Sequence, residues 1–429
     1  MKLITEQNKT FRRYAWQTLL GFSIMYAFLY TGRLNFGLAI PIITKELGWS
    51  TSMTGLINSV LFWTYGLGHL INGRLSEVIG VKRFIMAGIL LSVFTNWTLS
   101  FFNNPIAIAV LWGFNGYFQS MVWSPGMSLL SKWWPKKERG FAAGFATGFS
   151  GVGKIIAWFA VIAAVSMMPS WGWRATFRLP VTSLLIISFF YWYFVKEKPS
   201  DVGLQDYNME DPEEKRVEEK YFFLIKEKGV LYPYRLLFGQ LIFDVWCFII
   251  AFANLCSYGL LTWIPLYYVN VMNIPVKNGI VDSVVLPAGM AIGSFLAPWA
   301  TDKIFKANRT PVVIICGLAT AMTVFIFPYM KNKISATFIL FLAGLFVYGI
   351  NGVVWAFAVD VGSRVLAGTA AGILEWAAYM GAALQNMIFG YVLDKTGEWK
   401  ILFTTVMVLC IIVTILAIIT KRYACHKLP

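Results

Sequence analysis

Charge is scarce in this chain of 429 residues: Asp, Glu, Lys and Arg together make up 13%, against about 25% in an ordinary soluble protein. Histidine is scarcer still, with only His69 and His426, too few for an imidazole-rich metal centre. The five cysteines (Cys247, Cys256, Cys316, Cys410, Cys425) include no C-x-x-C spacing, so neither a disulfide framework nor a zinc site is expected. No metal or cofactor is expected at all. No G-x-x-x-x-G-K-[ST] segment occurs, which argues against ATP-driven work. No nucleophile and base cluster in the sequence, so the chain is not expected to be an enzyme. The apolar runs do not alternate with polar residues, which excludes barrel strands.

What is abundant is apolar surface. Hydrophobic residues reach 58% and the mean hydropathy is +0.64, more than a soluble core of this size could bury. The expectation is an integral, multi-pass protein of the cytoplasmic membrane, surrounded by lipid and monomeric. Lys and Arg number 36 and Asp and Glu 21, a net charge of +15, yet ten of the 21 acids fall between Glu197 and Glu227. The positive excess therefore belongs to short loops between apolar runs, the pattern of cytoplasmic loops rather than of a nucleic-acid surface. Basic residues in the N-terminal tail, after spans two, four and eight, and in the C-terminal tail place both termini in the cytoplasm. MKLITEQNKTFRR shows no small-residue cleavage site, so no cleaved leader is expected.

Twelve apolar spans are predicted at roughly 14–41, 53–73, 83–102, 105–131, 140–166, 174–195, 236–270, 279–300, 310–330, 334–359, 367–393 and 399–420, most of them near the ~20 residues a membrane helix needs. The fold class is all-α: two pseudo-symmetric bundles of six transmembrane helices. The expected domains are 1–195, a charged cytoplasmic linker over 196–235, and 236–429. Internal similarity supports a duplicated unit. Gly73-Arg-Leu-Ser-Glu77-Val-Ile-Gly80-Val-Lys82-Arg83 after span two is echoed by Ala300-Thr-Asp302-Lys303 after span eight. Arg139-Gly-Phe-Ala-Ala-Gly144 at span five is echoed by Ala367-Gly-Thr-Ala-Ala-Gly372 at span eleven, at nearly equal separation.

The six-plus-six plan with the Gly73–Arg83 motif resembles the major facilitator superfamily, with Glu77 where its motif has Asp and Val78 where it has a basic residue. The resemblance implies gating roles for Gly73, Glu77, Lys82, Arg83, Asp302 and Arg139 on the cytoplasmic side. Tyr26-x-x-x-Tyr30-x-x-Arg33-x-Asn-Phe-x-Leu-Ala-x-Pro41, Phe118-Gln119-x-Met121-x-Trp123-x-Pro125 and Trp133-Trp134-x-x-Lys137-Glu138-Arg139-Gly140 are similar to the organophosphate:phosphate antiporters. That family grips phosphate with two arginines. Arg33 matches the first; Ser257, in Asn254-Leu-Cys-Ser257-Tyr258-Gly259, stands at the second. Ser150 stands at the family's helix-five histidine and His69 at its helix-two lysine.

On their own terms, Tyr26, Tyr30 and Arg33 are spaced i, i+4, i+7 and share a helix face. An arginine so deep in the membrane should face a cavity or a partner. Lys154 lies mid-span one turn beyond Ser150, as a second cation or as a partner of Glu375. Glu375 is isolated in an otherwise uncharged run beside Trp376 and Tyr379. It could carry a proton, hold a substrate ammonium or pair with Lys154. The resemblance implies that Trp123, Tyr258, Trp355, Trp376 and Tyr379 lie on spans that line a cavity. Asn115, Asn254, Asn351, Gln385 and Asn386 read as ordinary interhelical hydrogen-bonders.

The expected function is secondary transport of a small organic anion or zwitterion by alternating access, as antiport or proton-coupled symport. Two alternatives stand beside it: a phosphate-ester antiporter with Lys154 as second cation, and a transporter-like membrane sensor.

Overall fold

A computed structural model describes residues 2–134, 136–204, 223–224, 227–229, 232–306, 308–330, 333–361 and 364–423. Among them every regular element is helical. In chain order these are α1 (Lys2–Leu29), α2 (Asn35–Leu47), α3 (Thr51–Ile79), α4 (Val81–Leu99), α5 (Pro105–Trp133), α6 (Lys136–Met167), α7 (Ala175–Phe194), α8 (Tyr232–Leu237), α9 (Leu241–Asn270), α10 (Val276–Asp282), α11 (Val285–Lys303), α12 (Thr310–Ile326), α13 (Lys333–Val361), α14 (Arg364–Thr396) and α15 (Trp399–Tyr423). Without water, a chain in hydrocarbon must satisfy its own backbone, and helices do so locally. Side chains such as Phe94, Phe159 and Met322 remain exposed, as a lipid-facing surface requires.

The twelve expected spans correspond to these helices, with two of them interrupted. The first is split into α1 and α2, and the eighth is preceded by the short α10. Caps explain several boundaries. Asn104 caps α5, its side chain accepting from Ile106 N at 2.9 Å and Ala107 N at 3.2 Å, with Pro105 at the first helical position where a missing N–H costs nothing. Gly80, at φ 99°, makes the whole connection from α3 to α4. This corrects the expected loop after span two. Gly73 through Ile79 continue α3, and the turn is that single residue, in a backbone region only glycine enters freely.

The chain forms two compact units. The first comprises 1–36 and 67–210, the second 37–66 and 211–429. Within the second, Asp394 at the end of α14 caps α3: it accepts from Thr51 N at 2.9 Å and Ser52 N at 2.7 Å, and from the Thr51 hydroxyl. About two turns inward, Asn58 donates to Asn386 at 3.1 Å. The N-terminal part of α3 and the C-terminal part of α14 are thus joined by polar contacts.

Candidate functional site

The first unit's polar centre is built on the break between α1 and α2. Tyr30–Gly32 form a 3₁₀ turn, and such a turn inside a membrane span leaves carbonyls that need donors. Two amides one turn apart on α5 supply them. Gln119 Nε2 donates to Leu29 O at 3.3 Å, and Asn115 Nδ2 donates to Gly32 O at 2.8 Å. Asn115 Oδ1 in turn accepts from Ser92 Oγ at 2.6 Å and Asn96 Nδ2 at 3.0 Å. Asn35, at the start of α2, donates to Asn96 Oδ1 at 3.0 Å and to Thr176 O at 3.2 Å. Gly32 permits this approach: a Cβ there would lie 3.1 Å from Gln119 Nε2 and 3.2 Å from Val181.

Arg33 follows the break and is fully buried. Its Nε donates to Gln119 Oε1 at 2.9 Å, so the amide that stitches the broken helix also aims the guanidinium. The guanidinium carbon lies 4.7 Å from the Tyr30 ring centroid. Lys154, also fully buried, places Nζ 5.6 Å from the centroid of the same ring. Close passage of α6 against α1 brings it there. A Cβ on Gly153 would lie 2.5 Å from Ala27 O and 2.8 Å from the Tyr30 ring.

Tyr26 continues the face, its hydroxyl 3.4 Å from that of Tyr30 and its ring 4.5 Å from Trp123. His69 Nδ1 shares a 2.8 Å hydrogen bond with Ser124 Oγ. Arg33, Lys154, Tyr30, Tyr26 and Trp123 thus form one chain of contacts. The predicted membrane spans of the first half contain no Asp or Glu. Arg33 and Lys154 stand over one aromatic ring.

The second unit holds the remaining candidates. Tyr258 and Tyr379 bring their hydroxyls to 3.2 Å, and Tyr379 packs on Tyr65 with centroids 4.3 Å apart. Phe62 lies 5.0 Å from Tyr258. Glu375, one turn before Tyr379 on α14, is 7% exposed. Trp376 does not join this group: it is half-buried and packs edge-on against Phe238 at 6.5 Å. The aromatic wall is made of tyrosines. Asn254 donates to Asn351 at 2.9 Å and Trp263 Nε1 to Gln385 Oε1 at 3.0 Å, which are interhelical contacts of the expected kind.

Of the gating candidates, Gly73 lies within α3, and the side chains of Glu77, Asp302 and Arg139 lie outside the described residues. Lys82 places Nζ 4.5 Å from the Trp192 ring centroid and Arg83 is exposed. The carboxylate at the N-terminus of α4 is Glu197, which the sequence reading did not single out. It accepts from Val81 N at 3.3 Å, Lys82 N at 3.2 Å and Lys132 Nζ at 3.0 Å. Burial alone would raise its pKa, but the Lys132 and backbone hydrogen bonds leave it below the usual carboxylate value.

Asn115 is an interhelical hydrogen-bonder as read from the sequence, but its service to the break, and that of Gln119, was not anticipated. The available signal was their i, i+4 spacing on α5, matched by Ser92 and Asn96 at i, i+4 on α4.

The profile described as Major Facilitator Superfamily matches residues 22–386. A probable hexose phosphate transport protein of Chlamydia trachomatis is 26% identical, over 97% of this chain and 92% of its own length. A glycerol-3-phosphate transporter of Bacillus subtilis is also 26% identical, over 97% of this chain and 94% of its own. Among solved structures, a bacterial homologue of the human lysosomal transporter Spinster, inward-facing and unoccupied, superposes with a TM-score of 0.76 at 16% identity. It covers 95% of this chain and 97% of that one.

Proposed function

Because the chain belongs to the major facilitator superfamily, we propose that this secondary transporter carries a small organic anion whose head group is held by Arg33 and Lys154. A phosphate monoester is the class that fits best. The relatives are named for hexose phosphate and glycerol-3-phosphate, and a dianion calls for two fixed cations. Ser257 withholds the arginine that the antiporter family places on this helix. The observation that supports a substitute is the Tyr30 ring, with Arg33 on it at 4.7 Å and Lys154 at 5.6 Å. Tyr26 and Trp123 extend that aromatic face, and Gln119 orients the arginine.

Antiport against inorganic phosphate follows from the same site, since phosphate alone presents the same head group. Gly73, Glu77, Lys82, Arg83, Asp302 and Arg139 are proposed as the cytoplasmic gate, with both termini on that side and the protein acting as a monomer. The halves 1–195 and 236–429, joined by 196–235, are proposed as the duplicated six-helix units.

The test is counterflow of labelled phosphate in proteoliposomes, competed by ethyl phosphate, ethanesulfonate and propionate. Saturable phosphate exchange is expected, with competition strongest by the divalent ester. Arg33→Lys and Lys154→Met should each weaken it by about tenfold or more, the loss of one charge-assisted contact. Phosphate exchange at the parental rate in both variants would overturn the assignment.

A further inference from the structure

The end of the first unit opposite Glu197 carries positive charge, and the chain places its acids far from it. Residues 100–104 follow α4 there, and Pro169–Arg174 join α6 to α7 as a 3₁₀ segment. Between Glu77 and Glu197 the sequence holds one acid, Glu138. Each of these three stands at the other end of a helix that leads here: Glu77 just before α4, Glu138 at the start of α6 and Glu197 just after α7. The shortest of those helices has 19 residues, so roughly 28 Å separates its two ends.

Two arginines occupy this end. Arg174 and Arg178 are four residues apart on one face, a like-charge spacing that by itself weakens a helix. Each is held by neutral groups. Arg178 Nε donates to Ser100 Oγ at 2.7 Å, and its guanidinium carbon lies 4.5 Å from the Phe101 ring centroid and 4.9 Å from that of Trp171. Arg174 Nη2 donates to Asn103 Oδ1 at 2.7 Å, and its guanidinium carbon lies 5.1 Å from the centroid of Trp173, a ring that is itself fully buried. A hydroxyl, an amide and ring faces return no full negative charge, so both cations keep theirs. Hydrogen bonds and rings fix the two planar forks in advance, which lowers the cost of receiving a phosphate.

The surroundings are those of a membrane boundary. Phe101 is 71% exposed and Met167, the last residue of α6, is 70% exposed, apolar surface that lipid covers in an integral membrane protein. Aromatic rings and arginines at the ends of membrane spans lie at headgroup level. The anion abundant there is the phosphate of a phospholipid. We infer that Arg174 and Arg178, seated on Trp173, Trp171 and Phe101, form a headgroup site for an anionic phospholipid. The two forks receive its phosphodiester, and the exposed faces of Phe101 and Met167 meet its apolar part. The site does not depend on which anion is transported.

Native mass spectrometry of the detergent-purified protein, incubated with equal amounts of phosphatidylglycerol and phosphatidylcholine, tests this. The parental protein should retain the anionic lipid over the zwitterionic one by about tenfold, the size expected of two arginines at a headgroup. Arg174→Gln combined with Arg178→Gln should lose one bound phosphatidylglycerol. Arg174→Lys combined with Arg178→Lys should keep it at weaker affinity, because the charges remain and the planar forks do not.

Equal retention of the two lipids by the parental protein, a reading that needs no variant, would overturn the site. So would a double glutamine variant that holds as much phosphatidylglycerol as the parental protein. Displacement of the lipid from the parental protein by an equal concentration of inorganic phosphate would assign the arginines to a free anion and also overturn the lipid site.

Discussion

At the scale of single residues, the account depends on how Arg33 is held. Its Nε bond to Gln119 and the two further bonds Gln119 makes, to Leu29 O and Ser92 Oγ, mean that one amide serves the substrate cation and the backbone break together. Gln119→Leu would strip the acceptor from a buried guanidinium and a donor from a buried carbonyl. It is expected to cost about 1–3 kcal/mol of stability and to lower phosphate affinity. Gln119→Glu would instead pair with Arg33 and neutralise it, so folding should persist while anion exchange falls steeply. Thermal unfolding measured beside counterflow separates the two effects. Equal exchange rates in Gln119→Glu and the parental protein would show that Gln119 does not position Arg33. Trp376, by contrast, packs on Phe238, and Trp376→Phe should leave exchange within about threefold, an effect below 1 kcal/mol.

Among the elements, two helix boundaries carry the most testable chemistry. Gly32 sits where a Cβ would push on Gln119, Val181 and Asn96. Gly32→Val is therefore expected to displace the amide network and abolish exchange while the rest of the first unit keeps its helices by circular dichroism. The N-terminus of α4 is held by Glu197, whose pKa lies below its ordinary value. A carboxylate depressed on folding contributes stability above its unfolded pKa, and that contribution disappears as pH falls through the folded value. The bridge should therefore be intact at neutral pH and be lost progressively as pH falls below the ordinary carboxylate range and through the depressed folded value. Glu197→Gln should lower the melting temperature at pH 7 and leave it nearly unchanged below that window. An equal loss at both pH values would show that the charge is not what matters there.

The elements themselves were largely legible from apolar run length, since hydropathy alone places helices in a membrane. The break at Tyr30–Gly32 was not: Thr31, Gly32 and Asn35 stand around Arg33, but a lone glycine inside a helical run is tolerated and does not by itself mark a break. Only the amides on α5 make the turn affordable. Tyr26, Tyr30 and Arg33 were legible as one helix face from their spacing; the approach of Lys154 on α6 to the same Tyr30 ring was not, because spacing along one helix says nothing of what another helix brings to it. Glu197 was hidden in a polar segment that reads as linker, since nothing local shows which helix end it caps.

For the whole molecule, membership of the superfamily and sequence likeness along almost the full chain make this an integral membrane transporter rather than an enzyme. Arg33 and Lys154 are both buried in the first unit, and in the proposed reading Lys154 stands in for the arginine that the family resemblance leads one to expect at Ser257. If that exchange preserves a divalent site, purified protein should be stabilised by phosphate-type anions in proportion to their charge. Ligand at about 100 times its dissociation constant adds roughly 2.7 kcal/mol to the folded state, a shift easily read in a melting curve. The decisive measurement is therefore the melting temperature of the parental protein, Arg33→Lys and Lys154→Met, titrated with inorganic phosphate, ethyl phosphate, ethanesulfonate and propionate. The account predicts a dose-dependent rise for the parental protein, larger for the phosphates than for the monovalent anions, and a marked loss of that rise in each variant. A parental protein that no phosphate stabilises, or variants that respond as the parental protein does, would contradict it.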